Sequence, residues 1–255
     1  MDIETIQNAI EAHHWDYPAQ LIPNEVEFIH TTDLIMIKNK NIPSIQTNKV
    51  VRFASQQPLE TALRFFQNIP FSWWVPSQQK ELITAIINHK FACIDEYVGV
   101  ALQLSSFHIP DLPNTYSFID VKTDEDIAKL VDVSITIWDY PPSARDNLFQ
   151  QRKSYIEASG ESSGYIICCD GNVAVGYANY RYSHDGSVVY LNGSGVLPTY
   201  RKQGIYKHLV YKRLQDAKEK GAILATCQAR KGHSAPILEK LGFTPYETYL
   251  QFARM

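Results

Sequence analysis

Apolar positions along the chain alternate between two spacings, and the spacings name the elements. Ile3, Ile6 and Ile10 suit one face of a helix, and short β-branched runs at 26–30, 34–37 and 50–53 read as strands. The stretch 57–68 is helical, with Pro58 near its start and Leu59, Ala62, Leu63 and Phe66 at core spacing. A buried strand at 71–75 and a helix at 78–88 follow. The segment 105–115, SSFHIPDLPNT, holds two prolines and little periodicity, so a lobe boundary is placed there. The resulting division is 1–115 and 116–255.

The second lobe opens with a strand at 116–121 and a helix at 124–137 capped by Thr123, then a helix at 143–158. Three alternating segments at 164–169, 172–182 and 188–197 are broken by Asp170-Gly171 and Asp185-Gly186, which are hairpin turn dipeptides. They predict an antiparallel meander. Over 204–220, Ile205, Leu209, Val210, Leu214 and Ala217 trace one helix face, and Gly221 stands where a helix-ending glycine belongs. A strand at 222–228 comes next, then a helix from its cap Ser234 to Leu241, and a last strand at 246–252. The fold class is α/β, an α+β arrangement on a mixed sheet. A faint repeat links the lobes: Lys90-Phe91 with Tyr97, and Gly242-Phe243 with Tyr249, each follow a helix at the same spacing.

Composition narrows the function classes. With 45% hydrophobic and 20% charged residues, the 255-residue chain has the makeup of a folded globular protein and excludes disorder. Its 24 basic and 27 acidic residues give −3, which leaves no positive excess to concentrate nucleic acid or anionic lipid. The acidic start lacks the order of a signal peptide, and no apolar run approaches the roughly 18 residues of a membrane span. Neither nucleic acid nor membrane is an expected partner, and a cytoplasmic location is expected. The four cysteines, at 93, 168, 169 and 227, have no metal-site spacing and read as reduced, mostly buried thiols; no metal is expected.

Chemistry concentrates between the strand ending near Val196 and the helix at 204–220. Leu197 and Pro198 lead into Arg201, Lys202, Gln203, Gly204, Ile205 and Tyr206. Proline cannot continue a ladder, and Gly204 admits close backbone approach at a helix start. The uncapped N–H groups of a first helical turn, the helix dipole and the basic pair together make an anion cradle fit for a pyrophosphate. The same residues also suit an ordinary strand-to-helix turn with a solvated basic pair.

This segment resembles the signature of the GNAT superfamily of acetyl-CoA-dependent N-acetyltransferases: V-x-P ending a strand, then R/Q-x-x-G-x-G/A at a helix head. Val196-Leu197-Pro198 and Arg201 through Tyr206 match it, except that Tyr206 replaces the last small residue. Leu238-Glu239-Lys240-Leu241-Gly242-Phe243 resembles the family's Y-E-K-L-G-F. The resemblance covers 116–255. It implies a GNAT acetyltransferase domain there and a smaller, degenerate GNAT-like lobe over 1–115, where Pro70 through Val75 resembles two-lobed members and no cofactor loop occurs. Acetyl-CoA is the implied acyl donor. Its implied contacts are Val196, Leu197, Arg201, Lys202, Gln203, Gly204, Ile205, Tyr206 and Ser234. Gly193-Ser194-Gly195 is consistent with a β-bulge beside the site, with a donor for an oxyanion.

The departures bear on mechanism. The tyrosine that protonates the leaving thiolate in many members falls at Leu238, and no carboxylate stands between Ser187 and Pro198. A thiol with a pKa near 8.5 leaves tolerably as thiolate, so direct transfer survives the loss. Asn192, Tyr190 and His233 are the catalytic candidates that remain, although each also fits a structural role. Trp138, Tyr180, Tyr182 and Tyr190 are candidate walls for the acceptor. The expected activity is acetyl transfer to a primary amine of a small molecule or peptide. Transfer of a longer acyl group, a non-catalytic acyl-CoA-binding protein, and an interaction module unrelated to CoA are the competing readings.

Overall fold

The computed structural model describes residues 1–54, 57–112 and 115–254. The chain forms two compact units: 1–16, 22–101 and 227–255 make the first, and 17–21 and 102–226 the second. This differs from the division 1–115 and 116–255 read from the sequence, in which Pro113 and Asn114 lie outside the described residues. The physical reason is strand pairing. The last strand, β11 (Thr244–Ala253), hydrogen-bonds on one edge to β4 (Ser72–Pro76) and on the other to β5 (Ala92–Gln103), both antiparallel. Local periodicity gives a strand its length but not its partner.

The first unit continues from β4 through a mixed set. β3 (Lys49–Phe53) pairs with β4 in parallel, and β2 (Leu34–Asn39) joins β3 to β1 (Val26–His30) by antiparallel pairing. Helix α1 (Ile3–Ala12) is capped by Asp2, whose side chain accepts from the Thr5 N–H at 2.8 Å, and it buries Ile6 and Ile10. Helices α2 (Glu60–Phe66) and α3 (Lys80–Asn88) cover one face of the sheet with Ala62, Phe66, Leu82 and Ile86. Helix α2 is shorter than the pattern 57–68, and neither of the two helices has a side-chain N-cap. Their core is aromatic. Phe66 stacks on Phe71 with centroids 4.1 Å apart, and Trp73 sits edge-on to Phe53 and Phe91.

The second unit is built on the meander the turn dipeptides announced. β6 (Ser117–Asp120), β7 (Ser163–Asp170), β8 (Val173–Tyr182) and β9 (Val188–Val196) pair antiparallel in that order, with Gly171 and Gly186 at positive φ in the turns. The opening residues of β10 (Leu224–Arg230) add to β9 in parallel. Helix α4 (Asp124–Trp138) starts in a full capping box between Thr123 and Asp126, and α5 (Arg145–Ser159) follows a short 3-10 turn. Both pack on one face of the meander, with Leu130, Val131, Tyr165, Ile167 and Tyr177 between the layers. Helix α6 (Ile205–Glu219) packs on the other face through Ile205 and Leu209 against Ile166, Cys168 and Ala178. The remaining helix, α7 (Ala235–Lys240), belongs to the first unit. Ser234 does not cap it: its hydroxyl accepts from the Arg230 N–H at 3.0 Å, because Ser234 is itself already helical in φ and ψ. No described helix is long and apolar enough to cross a membrane.

Phe252 of β11 is 1% exposed in the aromatic core. Truncating such a side chain removes its burial and leaves a cavity, so Phe252→Ala should cost about 3–5 kcal/mol in denaturant unfolding. A loss below about 1 kcal/mol would show that β11 is not integral to the first unit's core.

Candidate functional site

Strand β9 changes its surroundings halfway along. Its pairing with β10 covers Val188, Val189 and Tyr190 only, so among the described residues of this unit 191–196 has a strand partner on one edge alone. The partnered edge is irregular there. Ala178 faces Ser194, but Tyr180 faces Leu191, so Asn192 and Gly193 together oppose Asn179: a β-bulge. The glycines around it have separate reasons. A Cβ on Gly195 would lie 2.6 Å from the Ile137 side chain of α4, whereas Gly193 faces open space. The sequence placed the bulge among these glycines, and it begins one residue earlier, at Asn192.

Beyond the strand, Pro198–Tyr200 makes one 3-10 turn, and the chain then passes through Lys202 at φ 65° and Gly204 at φ 82° into α6. No side chain caps the helix. His208 bonds back to the Gly204 carbonyl at 3.1 Å, so the turn before it presents N–H groups for which the helix itself offers no acceptor. A side chain on Gly204 would be strained at its φ and would bring Cβ to 3.3 Å of the His208 ring. Arg201 and Lys202 are exposed beside this turn. Gln203 is tethered, its amide donating to the Thr199 carbonyl at 3.3 Å and accepting from the Tyr116 hydroxyl at 3.1 Å. Burial, then neighbouring Lys207, holds the His208 imidazole below its ordinary pKa, so the ring adds no charge near neutrality. The positive field therefore comes from the dipole, Arg201, Lys202 and Lys207. This arrangement fits a pyrophosphate: a glycine cap with no side chain, an uncapped first turn and fixed cations.

Val196 is less open than the sequence implied. The Arg201 Nε already donates to its carbonyl at 3.3 Å, which leaves a pantetheine arm to share or displace that bond. Leu197 turns back into the unit, its N–H bonding Val175 O at 2.9 Å and its side chain packing against the α4 cluster.

The four aromatic residues read as one acceptor wall are divided by the sheet. Tyr190 lies opposite Arg181 and therefore on the same face. The Arg181 guanidinium carbon sits 4.9 Å from its ring and 3.8 Å from the ring of Tyr17. Tyr180 joins the α6 cluster and Tyr182 lies beside it, with rings 5.7 Å apart, and the Lys220 ammonium stands 5.3 Å from the Tyr182 ring. Alternation along β8 puts these two opposite to Arg181, so Tyr180 and Tyr182 line no wall with Tyr190. Trp138 is half exposed at the end of α4 and donates to the Tyr177 hydroxyl at 2.6 Å. Tyr177, which sequence reasoning passed over, packs in the cluster beneath α4.

The catalytic candidates fall in both units. Tyr190 is 1% exposed and stacked on a cation, and Asn192 sits in the bulge. His233 and Ser234 lie in the first unit, with His233 lining a cavity of about 510 Å³ alongside Cys93, Asp95 and Arg230. Leu238 is fully buried and cannot donate a proton. Among the described residues no group of His, Cys, Asp or Glu is placed to hold a metal.

Sequence reasoning also missed Arg213. It is 2% exposed, and its Nε donates to Leu209 O at 3.1 Å while Nη1 reaches Asn179 O at 3.0 Å and Asn192 O at 3.3 Å. Its position, four residues after Leu209 on the buried stripe of α6, was the available signal.

The family model described as the acetyltransferase (GNAT) family matches residues 130–243. No curated protein matches the chain. Among solved structures, a GCN5-related N-acetyltransferase from Kribbella flavida is similar at TM-score 0.71 and 16% identity, over 99% of this chain and 95% of that one. A tandem GNAT protein from the clavulanic acid biosynthesis pathway is similar at TM-score 0.65 and 12% identity, with the same coverage. A functionally unknown conserved protein from Staphylococcus epidermidis is similar at TM-score 0.67 and 11% identity, over 93% and 97%. At these identities the likeness is one of fold. Residues 130–243, a little under half of the chain, match that family's model, and the solved structures agree with the chain in fold.

Burial, with Asp120 and Asp216 adding to it, pushes the Tyr180 phenol up to about 12. The native chain thus keeps a proton that an unfolded chain releases near 10, and the stability so gained is full below about pH 10 and lost as pH rises to about 12. Urea unfolding across that range should show the decline flattened in Tyr180→Phe. Equal slopes in the two proteins would contradict the placement of Tyr180 under α6.

Proposed function

We propose that the GNAT domain moves an acetyl group from acetyl-CoA to a primary amine of a small molecule or peptide by direct attack. The observation that carries this reading is the half-partnered stretch of β9 running into an uncapped, glycine-started helix flanked by Arg201 and Lys202. The N–H groups of the first turn of α6, from Gln203 to Tyr206, hold the pyrophosphate, and the basic pair supplements them. The edge of β9 from Leu191 to Val196 takes the pantetheine arm by backbone pairing. The amine lone pair attacks the thioester carbon, and the carbonyl electrons move onto oxygen, to which a bulge N–H donates a hydrogen bond. Collapse breaks the C–S bond, the thiolate leaves with the electron pair, and the surplus amine proton passes to water. No buried acid is required, because a thiol of pKa near 8.5 leaves as thiolate near neutrality.

The reading of residues 1–115 as a degenerate GNAT-like lobe belongs to the same proposal, with 116–255 as the acetyltransferase domain. It is supported by the lack of a positive-φ glycine at the starts of α2 and α3, whose caps are Leu59 and Gln79. The first lobe then serves as scaffold. A cytoplasmic location is proposed with it.

Without a carboxylate base on β9, the acceptor must bring its own neutral nitrogen. An α-amino group near 7.7 to 8.0 does so at pH 7, and an alkyl ammonium near 10.4 does not.

Calorimetric titration with acetyl-CoA should show binding that Gly204→Glu abolishes, since the variant adds both strain and like charge to the cradle. Undiminished affinity in the variant would remove the loop from the site. In a thiol-release assay at pH 7, an amino acid amide should surpass a matched alkyl amine in kcat/KM, the gap narrowing as pH rises. A preference for the alkyl amine at pH 7 would reveal a base that the chain supplies.

A further inference from the structure

A buried cation, Arg213, lies beneath the bulge. Arg213 stands on the core side of α6, a position where the helix otherwise presents Leu209, Val210, Leu214 and Ala217. Burying a guanidinium is costly unless its donors are used, and three contacts use them. Nε returns to Leu209 O one turn back, which fixes the stem. Nη1 then reaches one carbonyl on each strand of the bulge: Asn179 O at 3.0 Å on β8 and Asn192 O at 3.3 Å on β9. A bulge leaves backbone groups without ladder partners, and here the same nitrogen satisfies the carbonyls on both sides of it.

The consequence lies in the next amide. A trans peptide is planar, and its C=O and N–H point in opposite directions. The peptide that turns the Asn192 carbonyl onto Arg213 therefore turns the Gly193 N–H away from it. Gly193 is exposed, and a Cβ there would meet nothing. That N–H thus points away from Arg213 on the half-partnered part of β9, held in direction by a cation on the far side of its peptide plane.

We propose that Arg213 is a positioning residue for acyl transfer: by anchoring the Asn192 carbonyl it aims the Gly193 N–H at the thioester carbonyl, whose oxygen gains charge during attack. The assignment rests on the proposed acetyl-CoA site and says which amide of the bulge is the donor and what holds it. Lysine cannot replace the arginine, because a compact ammonium lacks the rigid planar fork that returns to Leu209 while reaching both strands.

The test needs no acceptor. Acetyl-CoA labelled with 13C at the carbonyl is bound to the unaltered protein, and its carbonyl band is read by difference infrared spectroscopy. The band is expected at lower wavenumber than in buffer, as for a carbonyl accepting a fixed hydrogen bond. Arg213→Met, which keeps volume, and Arg213→Lys, which keeps a buried cation, should still bind acetyl-CoA, with the band moved back toward its position in buffer. Gly193→Pro, which deletes the N–H and leaves Arg213 in place, should do the same. A lowered band retained in either Arg213 variant, or in Gly193→Pro, would overturn the assignment while leaving the acetyl-CoA site intact. Failure of the unaltered protein to bind acetyl-CoA would overturn the site itself and this assignment with it.

Discussion

The second unit is organised around a strand that is satisfied on one edge and open on the other. A β-strand in a folded core must pair its backbone groups, and β9 does so with β8 along its length but with β10 only at its start. The open edge is tolerable because something else can fill it, and the neighbouring elements are arranged to the same end. Helix α6 begins one short loop after β9 ends, without a side-chain cap, so the half-partnered edge and the uncapped helical turn follow each other closely in the chain. A ligand with an amide-bearing arm and a pyrophosphate complements both at once. The two helical layers hold the strand in place while it is open, with Ile137 of α4 against Gly195 from one side and Arg213 of α6 under the bulge from the other.

How much of this was legible depended on whether a residue's role is local. The meander was legible because Asp170-Gly171 and Asp185-Gly186 name their turns, and both glycines adopt the positive φ the turns need. Thr123 was legible as a cap because its partner Asp126 lies three residues on. The loop from Val196 to Tyr206 was legible by motif and by the glycine that a left-handed cap demands.

What stayed hidden is long-range or lies across a break in periodicity. The place of β11 between β4 and β5 joins residues about 140 to 180 apart in sequence, a choice that no window of the chain encodes. Tyr180, Tyr182 and Tyr190 looked like one wall, but which strand residues share a face depends on pairing register, which is settled only across the sheet. Arg213 was overlooked because binary patterning counts apolar residues on a helix stripe and skips a charge that the stripe buries. Ser234 had the residue type of a cap and the backbone of a helix interior, so its hydroxyl turned to Arg230 instead.

On the proposed function, acetyl-CoA completes the open edge of β9 and the first turn of α6. Amide hydrogen exchange with and without acetyl-CoA tests it most directly, because exchange reports whether each backbone N–H has gained a partner. Exchange should slow over 191–206, most from Gln203 to Tyr206, with the starts of α2 and α3 unchanged. Unchanged exchange across 191–206 in protein that demonstrably binds acetyl-CoA, or protection at α2 or α3 instead, would contradict it.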